Sequence, residues 1–170
     1  MAILNIIKED KNLSDLKKKS RPVEKINKRI ITLLDDMRDT MRDAKGIGLA
    51  APQVGVLRRV VVIEIEEDEI IEMINPEIIC KEGVQTDVEG CLSSPGKFAE
   101  RIRPEIVRVI YTDRNGGNQE KEGTELLARA FCHEIDHLDG VLCFDNAIRI
   151  LNQEEVDAML KEKEKEKEDD

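Results

Sequence analysis

Apolar positions between Pro22 and Ala44 recur at helical spacing, and the positions between them are mostly charged. Spacings of three and four residues place side chains on one face of an α-helix, and a proline fits its first turn. We therefore predict one long helix between these limits. Its apolar face is formed by Val23, Ile26, Ile30, Leu33, Leu34, Met37 and Met41. The following segment, GIGLAAPQ (46–53), holds two close glycines and a proline, and we expect it to be irregular.

Short runs rich in β-branched residues follow, separated by residues that favour turns. The sequence RNGGNQ (114–119) predicts a hairpin turn that returns the chain towards Thr124. The first ten residues, MAILNIIKED, are mildly apolar and favour an edge strand or a lid over the core. We predict strands in RRVVVIEIE (58–66), IIEMINP (70–76), EIICKEGVQT (77–86) and PEIVRVIYTD (104–113).

Helical spacing returns after Thr124, a residue type that can cap a helix. We predict that this helix ends at Gly140 and that VLCFD (141–145) then forms a short buried strand. The helix contains HEIDH (133–137), which includes both histidines of the chain. Its apolar residues are Leu127, Phe131, Ile135 and Leu138.

A last helix is predicted where Asn152 and Glu155 have the spacing of a capping box. The charged run KEKEKEKEDD (161–170) is expected to fray as a solvated tail. The order of elements predicts an α+β fold, with mainly antiparallel sheets packed around the HEIDH helix, a long N-terminal helix and a C-terminal helix. We expect a single catalytic domain over residues 1–160. The last helix would carry Val156, Met159 and Leu160.

Composition narrows the class of protein. The chain has 170 residues, of which 40% are hydrophobic, 38% charged and 2% aromatic, so we expect one core of Ile, Leu and Val under a charged surface. A net charge of -10 argues against nucleic acid as the main partner. Because no early apolar run resembles a signal peptide or a membrane span, we expect a cytoplasmic protein that binds no membrane. The four cysteines are then expected to be thiols rather than disulfides.

The HEIDH segment predicts a metal site. His133 and His137 lie one helical turn apart on one face, and Glu134 can reach a water bound to the same ion. No third histidine exists, so the third ligand is either a later carboxylate, Glu154 or Glu155, or a cysteine. Cys91 stands in the polar loop DVEGCLSSPG (87–96). Cys132 points about 100° away from its neighbour His133, and Cys80 and Cys143 lie in apolar segments.

Three segments together resemble peptide deformylase, namely GIGLAAPQ (46–53), EGCLS (89–93) and HEIDH (133–137). The resemblance extends from RP (103–104) through VLCFD (141–145) and indicates the compact bacterial form of the family. It implies a metal bound by Cys91, His133 and His137 with a fourth position left for water, as in catalytic sites. It further implies Glu134 as general base and acid, with oxyanion donors from the Gln53 side chain and the Leu92 backbone N–H.

The resemblance also implies a reaction, namely removal of the formyl group from the N-terminal formyl-methionine of newly made proteins, with release of formate. Fe²⁺ is then the expected metal in cells, although Zn²⁺, Ni²⁺ or Co²⁺ could occupy the site. Formyl-Met peptides and nascent chains are the expected partners, with a transient ribosome contact, and we expect a monomer. Ala130 is a further candidate for the methionine pocket. The residues predicted to bind substrate are Gly46, Ile47, Gly48, Glu89, Gly90 and Phe131.

Two positions depart from the family pattern. Cys132 stands where the family often has glutamine, and Ser94 stands where an apolar residue is common. Other interpretations remain open at this point. One is a zinc endopeptidase whose third ligand is Glu154 or Glu155, and another is a metal-binding or ribosome-associated protein without activity. An acidic interaction module built around the tail rests on charge alone.

Overall fold

The computed structural model describes residues 2–170, which form an α+β fold of two antiparallel sheets and four helices. The predicted fold class is confirmed. The helices are α1 (Glu9–Leu16), α2 (Lys28–Asp43), α3 (Glu125–Leu138) and α4 (Gln153–Glu168), with a 3₁₀ turn at Ala51–Val54. The strands are β1 (Gly48–Ala50), β2 (Val60–Ile63), β3 (Ile71–Glu82), β4 (Gln85–Gly90), β5 (Lys97–Arg103), β6 (Ile106–Thr112), β7 (Asn118–Thr124) and β8 (Arg149–Asn152).

One sheet has five strands in the order β1-β2-β3-β6-β7, and the other has three in the order β4-β5-β8. The β6–β7 hairpin is the predicted one, and the Asp113 carboxylate accepts from the backbone N–H groups of Asn115 and Gly117 in its turn. Two predicted strands prove to be one, because β3 continues past Pro76 through shifts in register. A proline has no N–H to donate, and a bulge is where a strand tolerates one.

The long helix begins six residues later than predicted, since α2 starts at Lys28 rather than Pro22. The preceding segment is held extended instead, because the Asn75 side chain bonds both the N–H and the carbonyl of Val23. Asn27 caps the helix by accepting from the N–H of Ile30. The predicted apolar face is otherwise confirmed, with Ile30, Leu34, Met37 and Met41 buried.

The segment 46–53 is more regular than predicted. Its residues Gly48–Ala50 form β1, which pairs with β2, and the 3₁₀ turn follows directly. Pro52 is tolerated because it stands in the first positions of that turn, where no N–H is needed. The described part of MAILNIIKED, residues 2–10, forms no strand, and Met1 lies outside the described residues. Leu4 of this segment packs on the core around α2, which agrees with the predicted lid rather than with an edge strand.

One further prediction at the C-terminal end needs correction. VLCFD (141–145) forms turns rather than a strand, since the Asp145 carboxylate accepts from the N–H of Leu142 and Arg101 donates to the carbonyl of Cys143. The run 161–170 is helical through Glu168 with every residue exposed, and its fraying in solution stays a prediction. Lys and Glu are strong helix formers, and their alternation places opposite charges three residues apart but like charges four residues apart, so helix propensity rather than ion pairing favours this helix. The predicted capping box of Asn152 and Glu155 is confirmed.

The core has two parts, one formed around α3 and the other around α2. Phe131 and Leu138 of α3 pack with Val61 and Val107 in one part, and Leu34 of α2 belongs to the other. Alternate residues of β2 belong to different parts, so the five-stranded sheet separates them. The helix that carries both histidines is therefore rigidly packed. Within residues 2–170, none of the helices combines the length and the apolar character that a membrane span requires.

Candidate metal centre

Cys91, His133 and His137 bring their ligand atoms together, all within 4.8 Å of one another. The two histidines project from one face of α3, and Cys91 follows the end of β4. The Nε2 atoms of the histidines are 3.3 Å apart, and the Cys91 Sγ is 3.5 Å from the Nε2 of His137. Of the candidates for the third ligand, Cys91 is therefore the residue that lies beside both histidines.

These separations fit a tetrahedral ion. Metal–nitrogen bonds of about 2.05 Å and a metal–sulfur bond of about 2.3 Å give tetrahedral edges of about 3.35 Å between nitrogens and about 3.6 Å between nitrogen and sulfur. The observed 3.3 Å and 3.5 Å lie close to both. Burial holds the pKa of His137 well below its usual range, so its imidazole is neutral and can donate a lone pair.

The carboxylate candidates lie elsewhere, whereas the Cys143 Sγ lies within 4.8 Å of ligand atoms of His133 and Glu89. Glu154 and Glu155 are exposed on α4, and Glu155 is engaged in the capping box. Burial raises the pKa of the Cys143 thiol to about 12, and it also raises the pKa of Cys132, so both thiols stay protonated. Cys132 packs in the core part around α3, as a small apolar residue would.

Glu89 lies behind His133 and fixes its orientation. The Nδ1 of His133 is 2.9 Å from the Glu89 Oε1, so a proton on Nδ1 leaves the Nε2 lone pair facing the other ligands. Arg103 donates to both oxygens of the same carboxylate, at 2.7 and 2.9 Å, and Arg129 donates at 2.6 Å. Burial alone would raise the pKa of Glu89, but the hydrogen bonds from Arg103 and His133 outweigh it and hold the pKa far below its usual range. Asp136 completes the network by accepting from Arg103 at 2.7 Å.

Replacing Arg103 by leucine should lower the free energy of unfolding by about 3–5 kcal/mol, since the buried carboxylate of Glu89 would lose a bidentate partner. Urea denaturation measures this change. Arg108→Leu is the matched control, because Arg108 pairs with glutamates on the exposed surface, where such pairs contribute at most about 1 kcal/mol. Equal losses in the two variants would contradict the structural role of the buried network.

Glu134 lies beside the ligand cluster and is itself buried. Its Oε1 is 4.0 Å from the Nε2 of His133, and its Oε2 has no hydrogen-bond partner within residues 2–170. Burial raises its pKa to about 7. Such a carboxyl can both accept and return a proton near neutral pH. Gly48 leaves the space for it, because a Cβ built on Gly48 would lie 2.6 Å from the Glu134 Oε1.

We expect Gly48→Ala to lower kcat about 100-fold with little loss of stability, because the added methyl displaces the Glu134 carboxylate, and displacements of about 1 Å have effects of this size. Kinetics and thermal unfolding on the same preparation measure the two quantities. Gly117→Ala is the control, since its Cβ would meet the Asp113 carboxylate at 2.9 Å, far from the cluster in the β6–β7 turn. If Gly48→Ala kept the wild-type kcat, a fixed position of the Glu134 carboxylate would not be needed for activity.

Gln53 is held with its amide nitrogen towards the cluster. Its Oε1 accepts from the N–H of Ala50 at 2.9 Å. Its Nε2 donates to the Ser93 hydroxyl at 3.1 Å and lies 3.6 Å from the Cys91 sulfur. The side chain is almost fully buried, which fixes the donor in place. Leu92 follows Cys91 directly and lines the same cavity.

A cavity of about 360 Å³ opens beside the cluster. Of the residues predicted to bind substrate, Gly46, Ile47, Gly48, Glu89 and Gly90 line it. Phe131 does not, because its position on α3 turns it into the core against Gly123, and this prediction is corrected. The apolar part of the lining is formed by Ile47, Val88, Leu92, Phe98, Leu126 and Ala130.

Ser94, one of the two departures from the family pattern, ties the cavity to the N-terminal segment. Its hydroxyl donates to the Glu9 carboxylate at 2.5 Å, and Lys97 donates to the same carboxylate at 3.0 Å. The Lys8 ammonium bonds the carbonyl of Leu92. These contacts, like those of Arg103 and Arg129, could not be predicted from the sequence, because nothing local in the sequence pairs residues so far apart.

A sequence model described as polypeptide deformylase matches residues 3–153. The chain belongs to this family. The peptide deformylase of Alkaliphilus metalliredigens is 60% identical over 134 residues, which is 79% of this chain and 90% of that protein. That of Thermoanaerobacter pseudethanolicus is 56% identical over 140 residues, 82% of this chain and 87% of the relative. A crystal structure of a peptide deformylase from Synechococcus elongatus in complex with actinonin has a TM-score of 0.80 at 37% identity, covering 94% of this chain and 85% of that one.

The family predicted from the three sequence segments is therefore confirmed, and all three lie within the matched range. The polypeptide deformylase family is metal-dependent. The cluster of one cysteine and two histidines could supply three of the four ligands that a tetrahedral ion needs. Three protein ligands leave one position for a reactant, which is typical of catalytic rather than structural sites.

Proposed function

We propose that this chain hydrolyses the N-formyl group of formyl-methionine at the start of newly synthesised proteins, releasing formate. The observation that carries the proposal is the convergence of Cys91, His133 and His137 beside the buried Glu134, at a cavity with an apolar wall. The reaction adds water to the formyl carbon and breaks its bond to the methionine nitrogen. The products are formate and a free amine.

Cys91, His133 and His137 would hold one divalent ion, and we propose Fe²⁺ in cells, with Zn²⁺, Ni²⁺ and Co²⁺ as ions that the same donors accept. When bound, the ion supplies Lewis-acid polarisation of a carbonyl and a lowered pKa of water. Glu89 keeps His133 oriented, and the two arginines keep Glu89 ionised. These buried contacts pre-organise the site before substrate arrives.

Glu134 takes the proton of the attacking water and later passes it to the departing amine. Its carboxylate is beside the ligands and has one oxygen without a partner in the described chain, so it can reach a reactant there. The Nε2 of Gln53 and the backbone N–H of Leu92 stabilise the oxyanion that forms on the formyl oxygen. Gln53 suits this role because its other contacts fix it before the reaction.

The substrate would bind as an extended strand. β1 pairs only with β2, and β4 pairs only with β5, so each is the edge of its sheet in the described chain. The cavity lies between the two edges, lined by residues 46–48 on one side and 88–91 on the other. A peptide can add to such an edge through backbone hydrogen bonds. The methionine side chain would then pack on the apolar wall, where Leu126 and Ala130 of α3 lie.

The remaining expectations follow from this activity. We propose a cytoplasmic monomer that acts on nascent chains, with transient ribosome contact, without membrane association and without direct nucleic-acid binding. Residues 1–160 would form the catalytic domain, and 161–170, which include the end of α4, an acidic tail that frays in solution. The net charge of -10 supports the proposal that nucleic acid is not bound directly.

The direct test is an assay of formate release from formyl-Met-Ala-Ser, using protein purified without oxygen and analysed for metal. Formate should appear in proportion to bound metal. Metal-loaded protein that releases no formate but cleaves a longer peptide internally would support the endopeptidase alternative instead.

A further inference from the structure

The mouth of the cavity carries one cation without a carboxylate partner. Lys97 is paired with Glu9, and Arg129 is paired with Glu89. Lys45 is exposed and lines the cavity, and within residues 2–170 no carboxylate lies within 4.0 Å of its ammonium. In a chain of net charge -10, an unpaired lysine at this place is a local positive site.

The backbone at Lys45 fixes the position of this charge. Lys45 follows the end of α2 in the left-handed region, with φ of 57°, and its N–H bonds the carbonyl of Arg42. The N–H of Gly46 bonds the carbonyl of Met41 in the same turn. Glycine is the residue that usually occupies such a position, because it adopts this conformation without strain. Lys45 is therefore a strained, non-glycine residue at the mouth of a site, and such residues cluster where side chains have a function.

The distance from the reacting centre indicates which part of a substrate Lys45 would meet. Gly48 faces the Glu134 carboxylate, and Lys45 lies three residues earlier. Residues 45–47 form a turn and a bend rather than a strand, so Lys45 lies closer to Gly48 than the distance of about 10 Å that three extended residues would span. A substrate that lies along this edge, with its formyl group at Glu134, places its third residue within reach of the long, flexible lysine side chain.

We propose that Lys45 forms a carboxylate-binding subsite that favours an acidic side chain at the third residue of the substrate. The proposal rests on the proposed deformylase activity and adds a preference among its substrates. The preference is electrostatic, so it is weakened by salt. The preference is modest, because Lys45 is exposed and an ion pair between it and a substrate carboxylate stays solvated.

Internal competition between two peptides in one reaction tests the subsite, because the ratio of products gives the ratio of kcat/KM independently of the amount of loaded enzyme. The pairs are formyl-Met-Ala-Glu against formyl-Met-Ala-Lys, and formyl-Met-Glu-Ala against formyl-Met-Lys-Ala. All four are C-terminal amides, which removes the terminal carboxylate as a second ligand. We expect a Glu:Lys ratio of about three to ten in the first pair at low salt, with a smaller ratio in the second pair.

Two variants of Lys45 and one control complete the test. Lys45→Gln should bring the first ratio close to one, and Lys45→Glu should invert it. Lys25→Glu changes the net charge equally but lies on an exposed segment outside the cavity, so the ratio should stay at the wild-type value. Salt of about 0.5 M should lower the wild-type ratio towards one.

The possible failures are distinct. If no peptide releases formate, the proposed function itself is wrong. If formate is released but the first ratio is unchanged by either Lys45 variant, or changes equally in Lys25→Glu, the subsite is refuted. A larger effect at the second residue than at the third would overturn the placement argued from Gly48.

Discussion

Glu134→Gln should abolish formate release while leaving a folded, metal-loaded protein. Glutamine fills the same space but cannot accept the proton of water, and a general base of this kind contributes about 100- to 10,000-fold. We therefore expect a fall in kcat of about 1,000-fold with the metal content unchanged. Stability should not fall, because burial raises the pKa of Glu134 and so disfavours the charged carboxylate that the substitution removes.

The measurement pairs formate release with metal analysis and thermal unfolding of the same sample. Glu154→Gln is the matched control, because it makes the same chemical change at an exposed position on α4. It should leave activity and metal content as in the wild type. Substantial turnover by Glu134→Gln would require another group to move the proton, and the proposed mechanism would then fail.

Cys91→Ser should lose both metal and activity. A serine hydroxyl is not deprotonated at neutral pH, so one of three protein ligands is removed, and the two imidazoles of His133 and His137 remain. Loss of a group that only supports a ligand costs about 10- to 100-fold in metal affinity. We expect the loss of a ligand itself to exceed about 100-fold, which leaves the dialysed variant without stoichiometric metal.

Metal content after dialysis, measured by mass spectrometry, decides this prediction. Cys80→Ser is the matched control, since it makes the same change on β3, outside both groups of candidate metal ligands, and it should keep its metal. The endopeptidase alternative predicts the reverse pattern, with metal retained in Cys91→Ser and lost when Glu154 and Glu155 are replaced. Retained metal in Cys91→Ser would therefore refute the proposed ligand set.

Features that depend on local spacing could be predicted from the sequence. His133 and His137 share a face because helical geometry puts residues four apart above one another. The capping box of Asn152 and Glu155 and the β6–β7 hairpin are equally local. Each is decided by interactions within a few residues, which tertiary packing did not override.

Features that depend on contacts between residues far apart in the sequence were harder to predict. Cys91 reaches the histidines only through the arrangement of β4 against α3, so the residues alone left a carboxylate as an alternative, and the resemblance supplied the choice. The Glu89 network was missed because Arg103 and Arg129 come from different elements. The start of α2 was misplaced for the same reason, since Asn75 is a distant residue that holds Val23 extended.

The placement of the cavity between two unpaired strand edges bears on how one small enzyme could serve a whole proteome. Backbone groups are common to every protein, so a strand-like ligand is held by atoms that do not vary from one gene product to the next. Successive side chains of that ligand point in opposite directions, and those directed to solvent are free to differ. Broad tolerance of sequence is then a property of the cleft itself, and individual side chains such as that of Lys45 only adjust the order in which proteins are processed.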